Sequence, residues 1–162
     1  MNIQEQIDLT DLDMTEDQVR AFFLGVLCAE VPLSFPKAFE EILSSTPEAK
    51  GTLEAVFEKL WMELNKNQKI ELQKMIPQDS DILKFMETAK DQLDYFLTGM
   101  SLSGTHTESC KDKELATFIN DLEEAVEDME DLLSDEDALQ EEGHHLKEFL
   151  LDIWREFTDS RQ

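Results

Sequence analysis

The chain has 162 residues, enough for one domain with a proper hydrophobic core and no need of disulfide or metal staples. Its 41% apolar content excludes a disordered chain, and five glycines and four prolines are too few for the many tight turns of an all-β fold. Acids number 38 against 14 bases, a net charge of −24 that speaks against direct binding of nucleic acid or an anionic membrane and favours a basic protein partner.

Residues 1–14 read as an acidic, mobile lead, without the basic start and apolar run of a signal peptide. Ile3, Ile7, Leu9 and Leu12 could still dock it on a core. Residues 15–158 read as one helical domain, with 159–162 a short tail. Thr15 and Gln18, three apart, make a capping box for the first helix of that domain. Val19, Phe22, Phe23, Val26 and Leu27 then recur at helical spacing, and Pro32 ends the run. Cys28, inside this apolar stretch, reads as a buried thiol.

Ser34 and Pro36 open a short helix carrying Phe39, Ile42 and Leu43. Thr46-Pro47 marks the next helix start. Its stripe is Leu53, Val56, Phe57, Leu60, Trp61 and Leu64; after Asn65 and Asn67 it resumes at Leu72, Met75 and Ile76, as one helix or two, and Pro77 stops it. Asp79 or Ser80 caps a long helix with Ile82, Phe85, Met86, Ala89, Leu93, Phe96, Leu97 and Met100, broken at Gly104. Gly99 reads as a site of close helix packing. A further helix carries Leu115, Phe118, Ile119, Leu122, Val126, Met129 and Leu133. Ser134 with Asp137 caps the last one, which carries Leu146, Phe149, Leu150, Ile153, Trp154 and Phe157 and has Gly143 near its start. The expected fold is all-α, a compact single-domain bundle of six to seven helices. No apolar stretch is long enough to span a bilayer, and the expected address is the cytoplasm.

Residues 121–142 hold 12 acids and no lysine or arginine, half of the net charge. Within them Glu123 with Glu127, Glu124 with Asp128, and Glu127 with Asp131 are like-charge neighbours four apart. Each such pair costs a helix about 0.2–0.5 kcal/mol. The run is either a solvated face or a docking surface for a basic partner, and the candidate docking residues are Asp121, Glu123, Glu124, Glu127, Asp128, Glu130 and Asp131. It lacks the glycine and ligand spacing of an EF-hand, as do the acids around Asp11, Asp13 and Asp17.

Catalytic constellations are weak. Glu141 with His144 and Glu142 with His145 have the Glu-x-x-His spacing of di-iron bundles, but such a site needs that motif on two helices. Cys110 and His106 lie four apart with no third group to orient them. In the stretch from Gly99 to Gly104 the glycines are too far apart for a phosphate loop and follow a helix instead of a strand. No catalytic residue, cofactor or metal is expected. The leading reading is a non-catalytic interaction module; the alternatives are a small metal-dependent enzyme using His144, His145 and nearby carboxylates, or a structural subunit of a larger assembly.

Three ordered segments resemble the YgfB/YecA-like family of bacterial proteins. Val19–Ala29, VRAFFLGVLCA, is similar to that family's early helix with its Gly-Leu-Leu-Cys-Ala ending. Ile76-Pro77-Gln78-Asp79 followed by Phe96-Leu97-Thr98-Gly99-Met100 is similar to its Pro-Asp helix start and Gly-Phe-Leu-x-Gly-Leu signature. Leu115–Leu122, the acids and a final apolar helix complete the order. The chain departs from the pattern at Arg20-Ala21, where the family has His-Gly; at Gln92 and Tyr95, where it has tryptophan and glycine; and at Phe149-Leu150-Leu151, where it has a Tyr-Val-Arg-like run. It also stops without the cysteine-rich zinc tail of the longer YecA-type members. The resemblance therefore implies the short YgfB-like form: all-α, bacterial, cytoplasmic, without zinc or established enzymatic activity, suited to a regulatory or adaptor role and compatible with a homodimer.

Overall fold

The computed structural model describes residues 2–29, 32–40, 47–65, 81–102 and 110–161, by backbone alone at 64–65 and 153–161. Seven α-helices and no strand occur among them: α1 Ile3–Asp8, α2 Glu16–Cys28, α3 Phe35–Ala38, α4 Lys50–Asn65, α5 Ile82–Ser101, α6 Lys113–Leu133 and α7 Glu136–Arg161, with a single 3-10 turn at Pro47–Ala49 before α4. The fold is the all-α bundle that the stripes predict. The expectations at Ile42, Leu43, Leu72, Met75, Ile76, Pro77 and Gly104, the continuity of 48–76, and the side chains of Ile153, Trp154 and Phe157 lie outside the described residues.

α2 organises the molecule. Its sequence is apolar nearly all round: Val19, the run Ala21–Val26 and Cys28 are all buried. A helix with no polar face must be covered on every side. One flank of α2, through Val19, Phe22, Phe23 and Val26, builds a core with Ile7, Phe35, Phe39, Leu53, Phe57 and Leu60. At its centre Phe23 meets Phe57 edge-on, ring centroids 5.3 Å apart, and Phe35 at 5.9 Å. The other flank, through Ala21, Leu24 and Cys28, builds a second core with α5, α6 and α7. Tyr95 packs against both cores.

The two cores share α2 because α5 lies against it at backbone contact. A Cβ on Gly25 would sit 2.0 Å from the Phe96 carbonyl oxygen, and one on Gly99 would sit 2.1 Å from that of Phe22. Only glycine at both positions permits this approach. The packing role expected of Gly99 is its actual one.

Helix ends follow local chemistry. The Thr15–Gln18 capping box forms as predicted: Gln18 N–H donates to Thr15 Oγ1 (3.2 Å) and Thr15 N–H to Gln18 Oε1 (3.0 Å). A second box, Asn2 with Glu5, starts α1. Residues 1–14 thus include a capped helix: Ile7 is 1% exposed and the Gln4 side chain accepts from Glu16 N–H at 2.8 Å, while Leu9 points to solvent. Two cap assignments shift along the chain. α5 is capped by Asp81, accepting from Leu83 N–H at 3.0 Å, and not by Asp79 or Ser80. α7 is capped by Asp135, accepting from Asp137 and Ala138 N–H, while Ser134 closes α6. Pro47 opens a 3-10 turn, Pro47–Ala49, before the α-helix begins at Lys50, while Thr46 lies outside the described residues. α7 runs unbroken through Gly143, whose bare Cα accommodates the Ile82 side chain.

Candidate functional site

The two-residue link Ser134-Asp135 folds α6 and α7 into a helical hairpin. Ser134 N–H donates to the Glu130 and Asp131 carbonyls, and its hydroxyl donates to Asp131 O at 2.7 Å. This turn brings the two halves of the acid run onto adjacent helices. All 12 of its carboxylates are exposed.

Between the helices lies a trough of about 610 Å³ lined by Asp128, Asp131, Leu132, Glu142, His145, Leu146 and Phe149. Its construction follows from spacing. Positions 128, 131 and 132 share one face of α6; positions 142, 145, 146 and 149 share one face of α7. Leu132 and Leu146 form an apolar floor, Phe149 stands 44% exposed, and the carboxylates and His145 form the rim. Phe149 is therefore not the core residue that its stripe position suggests.

Of the seven predicted docking residues, Asp128 and Asp131 line the trough. Asp121, Glu123, Glu124 and Glu127 are exposed farther along α6, where Glu124 accepts from Asn120 Nδ2 at 3.3 Å. Glu130 faces α5, where Lys90 Nζ reaches it at 3.4 Å and Asp94 at 3.3 Å. Burial draws the Lys90 ammonium down from its ordinary pKa, but Asp94 and Glu130 outweigh this and hold it above. Leu132, Leu146 and Phe149 were missed as site residues because apolar positions in a helical stripe read as core. Glu142 and His145, at i and i+3, were the available signal.

Helix electrostatics divides the acids into two groups. Asp135, Glu136 and Asp137 sit at the N-terminus of α7, where the helix dipole and free N–H groups favour negative charge. Glu130 and Asp131 sit in the last turn of α6, where the dipole disfavours it and where no basic residue stands, and Asp128 lies in the turn before. Each misplaced charge costs about 0.3–1 kcal/mol at low salt. Lys90 offsets Glu130. Asp128 and Asp131, the two on the trough, have no ion pair with any described residue.

His144 and His145 are both exposed, as are Glu141 and Glu142. Among the described residues no three His, Cys, Asp or Glu side chains gather into a group able to hold a metal ion; His106 lies outside them. Cys28 is buried, as its apolar setting predicts, and Cys110 is half-buried; the two are not joined in a disulfide. No described helix is long and apolar enough to cross a membrane. No family model, no curated protein and no solved structure matches the chain.

Proposed function

We propose that this protein is a non-catalytic interaction module, a regulator or adaptor, that docks a basic partner protein in the trough between α6 and α7. The observation that carries the reading is the placement of Asp128 and Asp131: Asp131 sits at the unfavourable end of α6, Asp128 one turn earlier, and both rim a trough with an apolar floor. Folding gains nothing from charge there, whereas a lysine or arginine entering the trough would meet two α6 carboxylates, Glu142 and the exposed face of Phe149. The net charge of −24 adds long-range steering toward a cationic surface. The absence of a recognisable nucleophile, phosphate loop or metal-ligand spacing in the sequence supports a binding role over a chemical one. Two cysteines not joined in a disulfide fit a reducing cytoplasm. The kinship with YgfB-like proteins belongs to the same proposal, supported by the helical order and by Gly99 lying at a helix crossing.

The test is affinity capture from the native host, comparing the wild type with an Asp128→Lys, Asp131→Lys, Glu142→Lys variant whose helicity is checked by circular dichroism. The reading expects a principal partner that weakens as salt rises and is lost from the folded variant. Equal capture by both proteins contradicts it.

A further inference from the structure

A second concave surface lies on the opposite core. The connection into α3, α3 itself and one face of α4 enclose a groove of about 610 Å³, with Leu27, Leu33, Phe57, Trp61 and Met62 among its walls. Pockets of about 300–1,000 Å³ accommodate several side chains or one drug-sized ligand. Trp61 is 48% exposed and Met62 41%, although the preceding Leu60 is buried. Among the described residues that line the groove, the charged ones are two carboxylates, Glu54 and Glu58.

The α4 pattern is ordered along its axis. Glu54, Phe57, Glu58, Trp61 and Met62 fall at i, i+3, i+4, i+7 and i+8, one continuous helical face. Glu54 and Glu58 flank the buried Phe57 in its N-terminal part, and the exposed apolar side chains of Trp61 and Met62 occupy its C-terminal end. We infer that this groove is a second docking site, for an amphipathic helical segment of a partner protein that carries apolar anchors at one end and Lys or Arg at the other.

Charge complementarity selects this occupant. A second copy of the chain would bring another body of −24 against an acid-lined groove, whereas a cationic segment is attracted to it. The apolar half supplies the anchor pocket: tryptophan is a frequent hot-spot residue, and the unbranched, polarisable methionine adapts to anchors of different shape. Recognition of this kind is the helix-in-groove mode. The site shares no lining residue with the α6–α7 trough, so either can fail without the other.

The experiment is calorimetric titration of the full chain with a Leu/Lys amphipathic peptide of about 18 residues, five helical turns, against a scrambled peptide of equal composition. The amphipathic peptide is expected to bind about tenfold or more tighter than the scrambled one, and to remain bound at about 0.5 M salt, where exposed charges are screened. Trp61→Ala with Met62→Ala, and separately Glu54→Lys with Glu58→Lys, should each weaken it about tenfold. Asp128→Lys with Asp131→Lys should leave it within about twofold. All three variants change exposed side chains, and circular dichroism verifies their fold. Equal binding of both peptides, or loss only in the α6 variant, overturns the inference. So does a wild-type dimer in sedimentation velocity that Trp61→Ala with Met62→Ala dissociates, because a second copy would then be the occupant.

Discussion

Gly25 of α2 and Gly99 of α5 face each other so closely that the space each lacks for a side chain is filled by the other helix's backbone. A methyl on Gly25 would strike Phe96 O, and one on Gly99 would strike Phe22 O, both within 2.1 Å. Neither obstacle is a flexible side chain, so the helices themselves must separate. Gly25→Ala and Gly99→Ala should each destabilise the protein by about 2 kcal/mol or more, despite alanine's helix-propensity advantage of about 1 kcal/mol. Gly51, exposed on α4, meets nothing within 4 Å, so Gly51→Ala should instead stabilise by about 0.5–1 kcal/mol. Urea unfolding of the three variants checks the contrast; a stabilised Gly99→Ala variant would contradict the crossing geometry.

Gln92 is the single buried polar side chain among the described residues, 2% exposed on α5, and its amide makes no hydrogen bond to another described residue. A buried amide without partners costs about 1–3 kcal/mol. Gln92→Met keeps the length of the side chain and removes the polar atoms, so the thermal midpoint should rise, with a gain of about 1–2 kcal/mol. A lower midpoint would mean that the amide is satisfied within the fold.

Lys90 links α5 to α6 through Glu130 and is held protonated above its ordinary range. Tyr95, one turn further along α5, is also raised, by burial first and then by Asp91 and Asp13. Both shifts have the same sign for stability. The folded state holds each proton more tightly than the unfolded chain, so their contribution is complete below the unfolded pKa values and lost as pH climbs through the folded ones. Stability should therefore decline above about pH 10. In Lys90→Met the lysine's share disappears and that decline becomes shallower, which urea midpoints at about pH 9 and pH 11 would reveal. Parallel declines in the two proteins would remove Lys90 from the account.

Glu127 stands four residues from both Glu123 and Asp131 on the exposed face of α6. Glu127→Gln relieves both repulsions and should stabilise by about 0.4–1 kcal/mol at low salt. The gain should shrink as salt screens the wild type. A destabilised variant would show that Glu127 serves the fold and not a free surface.

The helices were legible because buried faces impose a 3.6-residue period, but α2 read as a helix with one buried stripe, and only the structure shows it covered nearly all round. Caps were less so: Asp79-Ser80-Asp81 and Ser134-Asp135 offer adjacent side-chain oxygens, and only the helix register selects Asp81 and Asp135. Periodicity also cannot separate a core residue from one at the edge of a groove, so Trp61 and Phe149 read as buried and are not. Gln92, a polar residue among apolar neighbours, reads as the margin of a stripe until packing encloses it. The acid run was visible as composition. Its division into α7 acids that suit their helix end and α6 acids that do not required the position of the Ser134-Asp135 turn.

The central claim, a basic partner seated between α6 and α7, is tested most directly by carboxyl footprinting of the captured complex. Carbodiimide labelling, read by mass spectrometry, compares each acid in the free and bound protein. The account predicts that Asp128, Asp131 and Glu142 become protected on binding, while Glu136 and Asp137 at the α7 N-terminus label as before. Unchanged labelling at Asp128, Asp131 and Glu142, with protection elsewhere on the chain, would contradict it.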